Sequence, residues 1–356
     1  MGPIHAGIIE PGHFRFSVAG EEIVLLEARL GFVHKGIEKL FERLSIEETV
    51  RLSEKISGDS SASHSLAYCQ ALEILGEVTV PARANYLRAI FAELERLANH
   101  FGDIGAIMID TGFNFGGAHG ARLRELVMQI HERLSGNRFL RGVNTVGGVT
   151  RDIDEDAARA LTEELQHIAT DFSEVVAIAE NSASLLNRLK GTGTLALTLA
   201  QERGAVGVAA RAVGMPVDAR VEYPYAAYEA LGYSEIVTQK DGDVHARFRV
   251  RIEEAHRSME LIQKALREIP SGSTRAATAR VTFKKNACAV SLVEGWRGEI
   301  VYFVTTDAKG HVNRVAPRDP SWRNWGVLGE AGFGNVVPDF PLINKSFNLS
   351  YSGNDL

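Results

Sequence analysis

RANYLRAIFAELERLANHFGDIGAIM, Arg83 to Met108, is the stretch that decides the fold class. Its apolar positions Leu87, Ile90, Phe91, Leu94, Leu97, Ala98, Phe101 and Ile104 recur at three- and four-residue spacing. That period puts them on one stripe of a helix, and Pro81 just ahead is a start signal. The same pattern predicts helices over Arg122 to Leu134, from about Asp156 to Leu189, and over Arg251 to Ile269. Periodic stretches approaching about 30 residues indicate long bundle helices rather than the crossovers of a parallel sheet.

On either side the texture changes. FRFSV (Phe14 to Val18) and IVLLEARL (Ile23 to Leu30) flank AGEE and predict a β-hairpin turned at Gly20. A helical stretch follows from Gly36 to about Leu75, broken by the Ser/Gly/Asp cluster at Ser57 to Ser63. After Pro270, TARVTF, AVSLV and EIVYFVTT are short β-rich runs with turns such as DAKG. The expected fold is mainly α with an α+β periphery. A single unit covers 1–356: β-rich over 1–35, a helical core over 36–269 and a β-rich part over 270–356.

Composition narrows the function classes. The net charge of −6 gives no reason for the surface to attract nucleic acid. No apolar run approaches the roughly 18–20 residues that span a bilayer, and MGPIHAGIIEPGH lacks the basic and apolar regions of a secretory leader. The expected location is the cytoplasmic side of the cell membrane, peripheral through partners. The only cysteines are Cys69 and Cys288, too few for a disulfide framework and too far apart for a local thiolate motif, so both are expected as buried structural thiols.

Three polar groups carry candidate chemistry. His5, Glu10, His13 and Arg15 lie within eleven residues, and the Glu10-Pro11-Gly12 bend can project a carboxylate into a cleft; a strand with scattered polar residues reads the same way. In SGDSSASHSLAY, Ser57 to Tyr68, small polar residues lead into a helix on which His64 and Tyr68 stand four apart. Ser and Asp before an apolar helix also serve as N-caps. The third group is the C-terminal DFPLINKSFNLSYSGNDL, which also reads as a frayed tail. No nucleophile elbow accompanies a Ser/His/Asp set, and TGFNFGGAHGAR lacks the glycine spacing of a nucleotide loop.

Taken in order, several blocks resemble a known family. They are GPIHAGIIEPGHFRF, EEIVLLEARLGFVHKGIEKLFE, HSLAY, RANYLRAIFAELERLANH, SGNRFLRGVNTVGGVTRDI, GVAARAVGMPVDAR and EGWRGEIVYFV. The chain resembles the large subunit of membrane-bound, energy-converting nickel–iron hydrogenases of the formate-hydrogenlyase type, and the related 49-kDa-type subunit of respiratory complex I. The hydrogenases hold nickel and iron on two Cys-x-x-Cys pairs. The resemblance puts those four positions on Ser57, Ser60, Ser350 and Gly353, so no metal is expected in the vacated pocket. A serine hydroxyl stays protonated and is a hard, weak donor, and glycine donates nothing.

The complex I relative implies quinone chemistry on a histidine and a tyrosine. The histidine corresponds to His5, but the tyrosine position falls on Gly58, and Tyr68 matches a different tyrosine. Asp59 and His64 are the titratable groups expected to substitute, with His5, His64 and Tyr68 as quinone-binding candidates. Glu10 resembles the hydrogenase proton-relay glutamate and Arg297 the arginine facing the metal pocket. The expected catalytic set is therefore His5, Glu10, His13, Asp59, His64 and Arg297. The resemblance implies a metal-free oxidoreductase subunit taking electrons from an iron–sulfur cluster on a partner small subunit, with quinone as acceptor and coupling to proton or sodium movement. A 30-kDa-like subunit and antiporter-like membrane subunits are the further partners implied. Relatives often carry an added N-terminal domain, expected here to be absent or on a separate polypeptide. The alternative is a connector that transmits conformational change without redox chemistry.

Overall fold

The computed structural model describes residues 1–4, 9–277 and 281–356. The decisive stretch forms a helix from Ala82 to Asp110, with Leu87, Ile90, Phe91, Leu94, Leu97 and Phe101 fully buried. Two long helices flank it, Asn114–Ser135 and Val244–Glu268, and Glu155–Glu180 closes the bundle. The chain is thus mainly α, and its small sheets are antiparallel.

Boundaries differ from the sequence reading for identifiable reasons. The helix expected from Arg122 begins at Asn114 because Gly116, Gly117 and Gly120 permit close backbone approach rather than breaking the helix. A Cβ on Gly120 would stand 2.6 Å from the Cα of Gly105. The helix expected from Arg251 starts at Val244, where Asp243 accepts from the amide of Ala246 at 2.7 Å. The periodic run to Leu189 is two helices, since Ser182 caps a new one over Ala183–Leu189.

The hairpin pairs His13–Ala19 with Glu22–Arg29. Phe14 plugs it onto the C-terminal helices, with ring centroids 4.8 Å from Phe340 and 6.0 Å from Trp325. Strands Cys288–Gly295, Gly298–Thr306 and Val312–Arg318 form a sheet packed on helix Ser61–Leu75, around a second apolar core that includes Tyr68 and Tyr302. Strand alternation leaves Cys288 exposed while Cys69 is buried, so only one of the two thiols is a core residue.

The β-rich expectation for 270–356 holds only for its middle. Val281 to Phe283 forms no strand, and the rest of the TARVTF run, Thr278 to Arg280, lies outside the described residues. Beyond Arg318 the chain is helical: Pro320–Gly332, Phe340–Phe347 and Tyr351–Asp355. Phe340, Ile343 and Phe347 share a helical face turned to the core, so this segment is not a frayed tail. Among the described residues no helix is long and apolar enough to cross a membrane.

Candidate functional site

The turn at Ser57–Ser60 enters helix Ser61–Leu75, and its polar side chains do not cap that helix. Glu95, reaching across from the central helix, accepts from the amides of Ala62 at 2.6 Å and Ser63 at 3.1 Å. This leaves Ser57, Asp59 and Ser60 available for other contacts.

They converge on Arg297, in the tight turn between two strands. Its guanidinium donates to Asp59 Oδ1 at 2.6 Å and Oδ2 at 2.7 Å, a bidentate pair, and reaches Ser57 Oγ at 3.3 Å and Ser60 Oγ at 3.4 Å. Trp296 and Asn99 donate to the Asp59 carbonyl at 3.1 and 2.9 Å, which fixes the turn from the strand and from the central helix. Arg297 Nε donates to the carbonyl of Asn348, a residue held at φ 45°, and Asn348 Nδ2 donates to Asp103 Oδ1 at 2.6 Å.

The C-terminal segment closes the pocket. Ser57 Oγ donates to Ser350 Oγ at 2.9 Å, joining positions 293 residues apart. Ser350 Oγ also accepts from the amide of Gly353 at 2.9 Å, and Glu10 Oε2 accepts from the amide of Ser352 at 3.0 Å. Behind them, His64 Nε2 lies 3.1 Å from Asp319 Oδ2 and Nδ1 lies 3.1 Å from the Tyr302 hydroxyl, all three side chains being buried. Asp319 stands where a side chain at 353 would go: a Cβ on Gly353 would lie 2.6 Å from its Cγ.

Electrostatics follow from burial and partners. Burial works against the Asp59 carboxylate, but Arg297 outweighs it and holds its pKa below the usual range. Asp319 behaves likewise: burial is overcome by the hydrogen bond and charge of His64. Burial pushes Glu95 up to about 7, against its donors Ser63 and Ala62, with the Asp59 charge adding to the rise. Glu54, buried and accepting from the amide of Gly142 at 2.6 Å, is also pushed up to about 7 by burial.

A buried ionic network adjoins the site. Arg96 donates to the carbonyls of Glu294 at 2.6 Å and Gly295 at 3.1 Å, just before Trp296 and Arg297. Arg211 pairs Glu254 and Glu294, each at 2.7 Å, and His100 Nε2 lies 2.8 Å from Glu254. Such a network fixes the strand turn that presents Arg297, because a buried charge left unpaired is costly.

The fold therefore brings together Glu10, Ser57, Asp59, Ser60, Arg297, Ser350 and Gly353, with His64 immediately behind. Gly58 is exposed beside them, 3.6 Å from Arg141 measured from an added Cβ. His13 stands in the hairpin opposite Arg29, with no hydrogen bond to the pocket among the described residues. Tyr68 turns away, donating to Thr49 Oγ1 at 3.0 Å within the apolar core. His5 lies outside the described residues. Sequence reading missed Asp319, Tyr302, Glu95 and Asn348. Asp319-Pro320-Ser321 carries a cap-and-proline signature that marks a helix start, whereas nothing local marks Tyr302 or Glu95.

The residues present do not fit nickel. The four positions offer three hydroxyls and no thiolate, the Arg297 guanidinium sits within hydrogen-bond reach of two of those hydroxyls, and Asp319 fills the space beside Gly353. What the arrangement offers instead is a dense set of proton donors and acceptors around a held cation.

Residues 110–291 match the family described as the respiratory-chain NADH dehydrogenase, 49 Kd subunit. The carbon monoxide-induced hydrogenase of Rhodospirillum rubrum is 33% identical over 98% of this chain and 96% of its own length. Formate hydrogenlyase subunit 5 of Escherichia coli (strain K12) is 33% identical over the whole chain, which spans 62% of that relative. A chain of the membrane-bound sulfane sulfur reductase, an archaeal respiratory membrane complex, superposes with a TM-score of 0.93 at 26% identity, covering 100% of this chain and 97% of that one.

Proposed function

Since the chain belongs to the family of the respiratory-chain NADH dehydrogenase 49 Kd subunit and its hydrogenase relatives, we propose that it is the proton-handling, metal-free large subunit of a membrane-bound respiratory oxidoreductase. Electrons come from an iron–sulfur cluster on a partner small subunit. The acceptor is reduced beside Arg297, and Asp59, Glu10 and the His64–Asp319 pair manage the accompanying protons. The observation that carries this reading is the convergence of Ser57 and Ser350 at 2.9 Å around a bidentate Arg297–Asp59 pair. A mere scaffold does not require a cation and several titratable groups to be gathered where two distant segments meet.

The chemistry asked of these residues is modest. Arg297 stabilises negative charge that develops on a reduced acceptor, and a neighbouring carboxyl or imidazole supplies the proton. Quinone is one acceptor class consistent with the family. A sulfane-sulfur compound is the second, favoured by the close superposition on the sulfane sulfur reductase chain. Coupling to proton or sodium movement, a 30-kDa-like partner, antiporter-like membrane partners and a cytoplasmic-facing position complete the proposal.

The test uses the assembled complex. Arg297→Met and Asp319→Asn are expected to abolish reduction of whichever acceptor, a quinone analogue or a polysulfide, the unaltered complex reduces, while the subunits still co-purify. If both variants keep full turnover with the acceptor that the unaltered complex reduces, the chain is a connector rather than a redox participant. Saturable binding of only one acceptor class assigns the substrate.

A further inference from the structure

Asp59 also borders a small space away from Arg297. A narrow pocket of about 20 Å³ lies between the Ser57–Ser60 turn, the central helix and helix Asn114–Ser135, lined by Asp59, Glu95, Asn99 and His131, with Arg124 and Arg138 among its walls. That volume holds about one water, for which roughly 10–15 Å³ suffices.

Two of the lining side chains are poised for such a water. His131 is only 3% exposed, and its Nδ1 lies 2.9 Å from the carbonyl of Arg138, to which it donates in the neutral ring. Nε2 is then an acceptor, buried and, among the described residues, without a hydrogen-bond partner. Burial pushes this histidine down to about 4; the carbonyls of Arg138 and Leu94 oppose the fall, and the charges of Arg124 and Arg138 deepen it. Glu95, 4% exposed, is the other. It accepts from Ser63 Oγ at 2.5 Å and from two amides, and it lies within the field of Asp59.

An orphaned acceptor and a buried carboxyl facing one water-sized space are unexplained by packing, since buried polar atoms are normally satisfied. We propose that this pocket holds one water and is the proton entry of the Asp59–Arg297 site, with Glu95 as the proton carrier and His131 Nε2 as the acceptor that anchors the water. The water donates one O–H to His131. When reduction places negative charge on the acceptor beside Arg297, the Glu95 O–H bond breaks, its proton passes by way of the Asp59 carboxylate to form the new bond to hydrogen on the reduced acceptor, and Glu95 is left as a carboxylate. Solvent then returns a proton to Glu95 through the water, so no electron moves in this step. The use of the path rests on the redox reading above; its existence does not.

The experiment is an infrared titration of the assembled complex together with turnover against pH, in ordinary and deuterated water. Because Glu54 titrates in the same range, the infrared titration is made in the Glu54→Gln background, where the carbonyl band of a protonated buried carboxyl is expected to titrate near pH 7 and to disappear when Glu95→Gln is added. Turnover in that variant should fall about 100-fold, the usual scale for a lost acid–base group, with KM little changed. Glu95→Asp should restore the band and most of the rate. His131→Phe, which removes the acceptor and fills the pocket, should slow turnover and alter the solvent isotope effect, while Glu54→Gln leaves the rate unchanged. A band, pH profile and rate that survive Glu95→Gln overturn the proposal. Should that variant fail to assemble, an unchanged pH profile and isotope effect in His131→Phe overturn it alone. If the unaltered complex reduces no acceptor, the redox reading fails, and the titration of Glu95 still decides the pocket.

Discussion

Arg297 is the residue on which the site turns. Its side chain neutralises Asp59 and ties the Ser57–Ser60 turn to Asn348. Removing one member of a fully buried pair costs about 3–5 kcal/mol, and Asp59 keeps 33% of its side chain exposed, so Arg297→Met should cost about 2–3 kcal/mol in urea unfolding. Asp59→Asn in that background should recover part of it. Titration gives a second expectation. Asp319 has a lowered pKa, so its stabilisation is present above the ordinary carboxylate range and is lost as pH falls. Glu54 and Glu95 are raised from 4.5 to about 7, so theirs is complete below 4.5 and is lost as pH rises through 7. Each raised carboxyl contributes at most about 3 kcal/mol, at about 1.4 kcal/mol per pK unit. The melting temperature should therefore peak at about pH 4–5 and fall toward pH 7, and Glu95→Gln should flatten that alkaline fall.

At the scale of elements, two glycines set distances that side chains would forbid. Gly207 adopts φ 62°, and a Cβ there would stand 1.9 Å from the carbonyl oxygen of Arg297. Gly207→Ala is expected to lower stability by about 2 kcal/mol or more through strain and to displace the strand turn. Activity should then fall by more than the folded fraction does, as read by turnover alongside circular dichroism. Gly120→Ala instead forces the central helix and helix Asn114–Ser135 apart. It should cost about 1–3 kcal/mol without changing the pH profile of turnover in the assembled complex. Both effects come from backbone proximity, but only one backbone belongs to the site.

Across the whole molecule, distant segments fill the region where Ser57 meets Ser350 rather than leaving it open. Asp319, carried by the helix after the sheet, occupies the space beside Gly353 and pairs with His64. Replacing Ser57, Ser60, Ser350 and Gly353 together with cysteine is therefore expected to yield no stoichiometric nickel by elemental analysis. Of the single variants, Gly353→Cys should be the most destabilising. Stoichiometric metal would mean that Asp319 and Arg297 yield their places easily. The surrounding ionic network makes that costly, since Arg96 and Arg211 fix the backbone and carboxylate of Glu294 just ahead of the turn.

The long helices, the N-terminal hairpin and the β-rich runs at Ala289 and Glu299 are legible in the amino-acid pattern, because periodicity of 3.6 or 2 is a local property that burial imposes on each element. The ordered blocks of resemblance also marked Ser57, Ser60, Ser350, Gly353 and Arg297 as one region. Tertiary structure alone decided which groups complete it. Tyr68 sits one turn from His64 yet faces Thr49, while Tyr302, 238 positions away, meets the imidazole. Glu95 reads as one more polar residue of an amphipathic helix, and only its burial, which outweighs the hydrogen bonds it accepts from the start of helix Ser61–Leu75, gives it a raised proton affinity. Proton affinity and pairing depend on what lies across space, and a linear pattern records only which face of an element is covered.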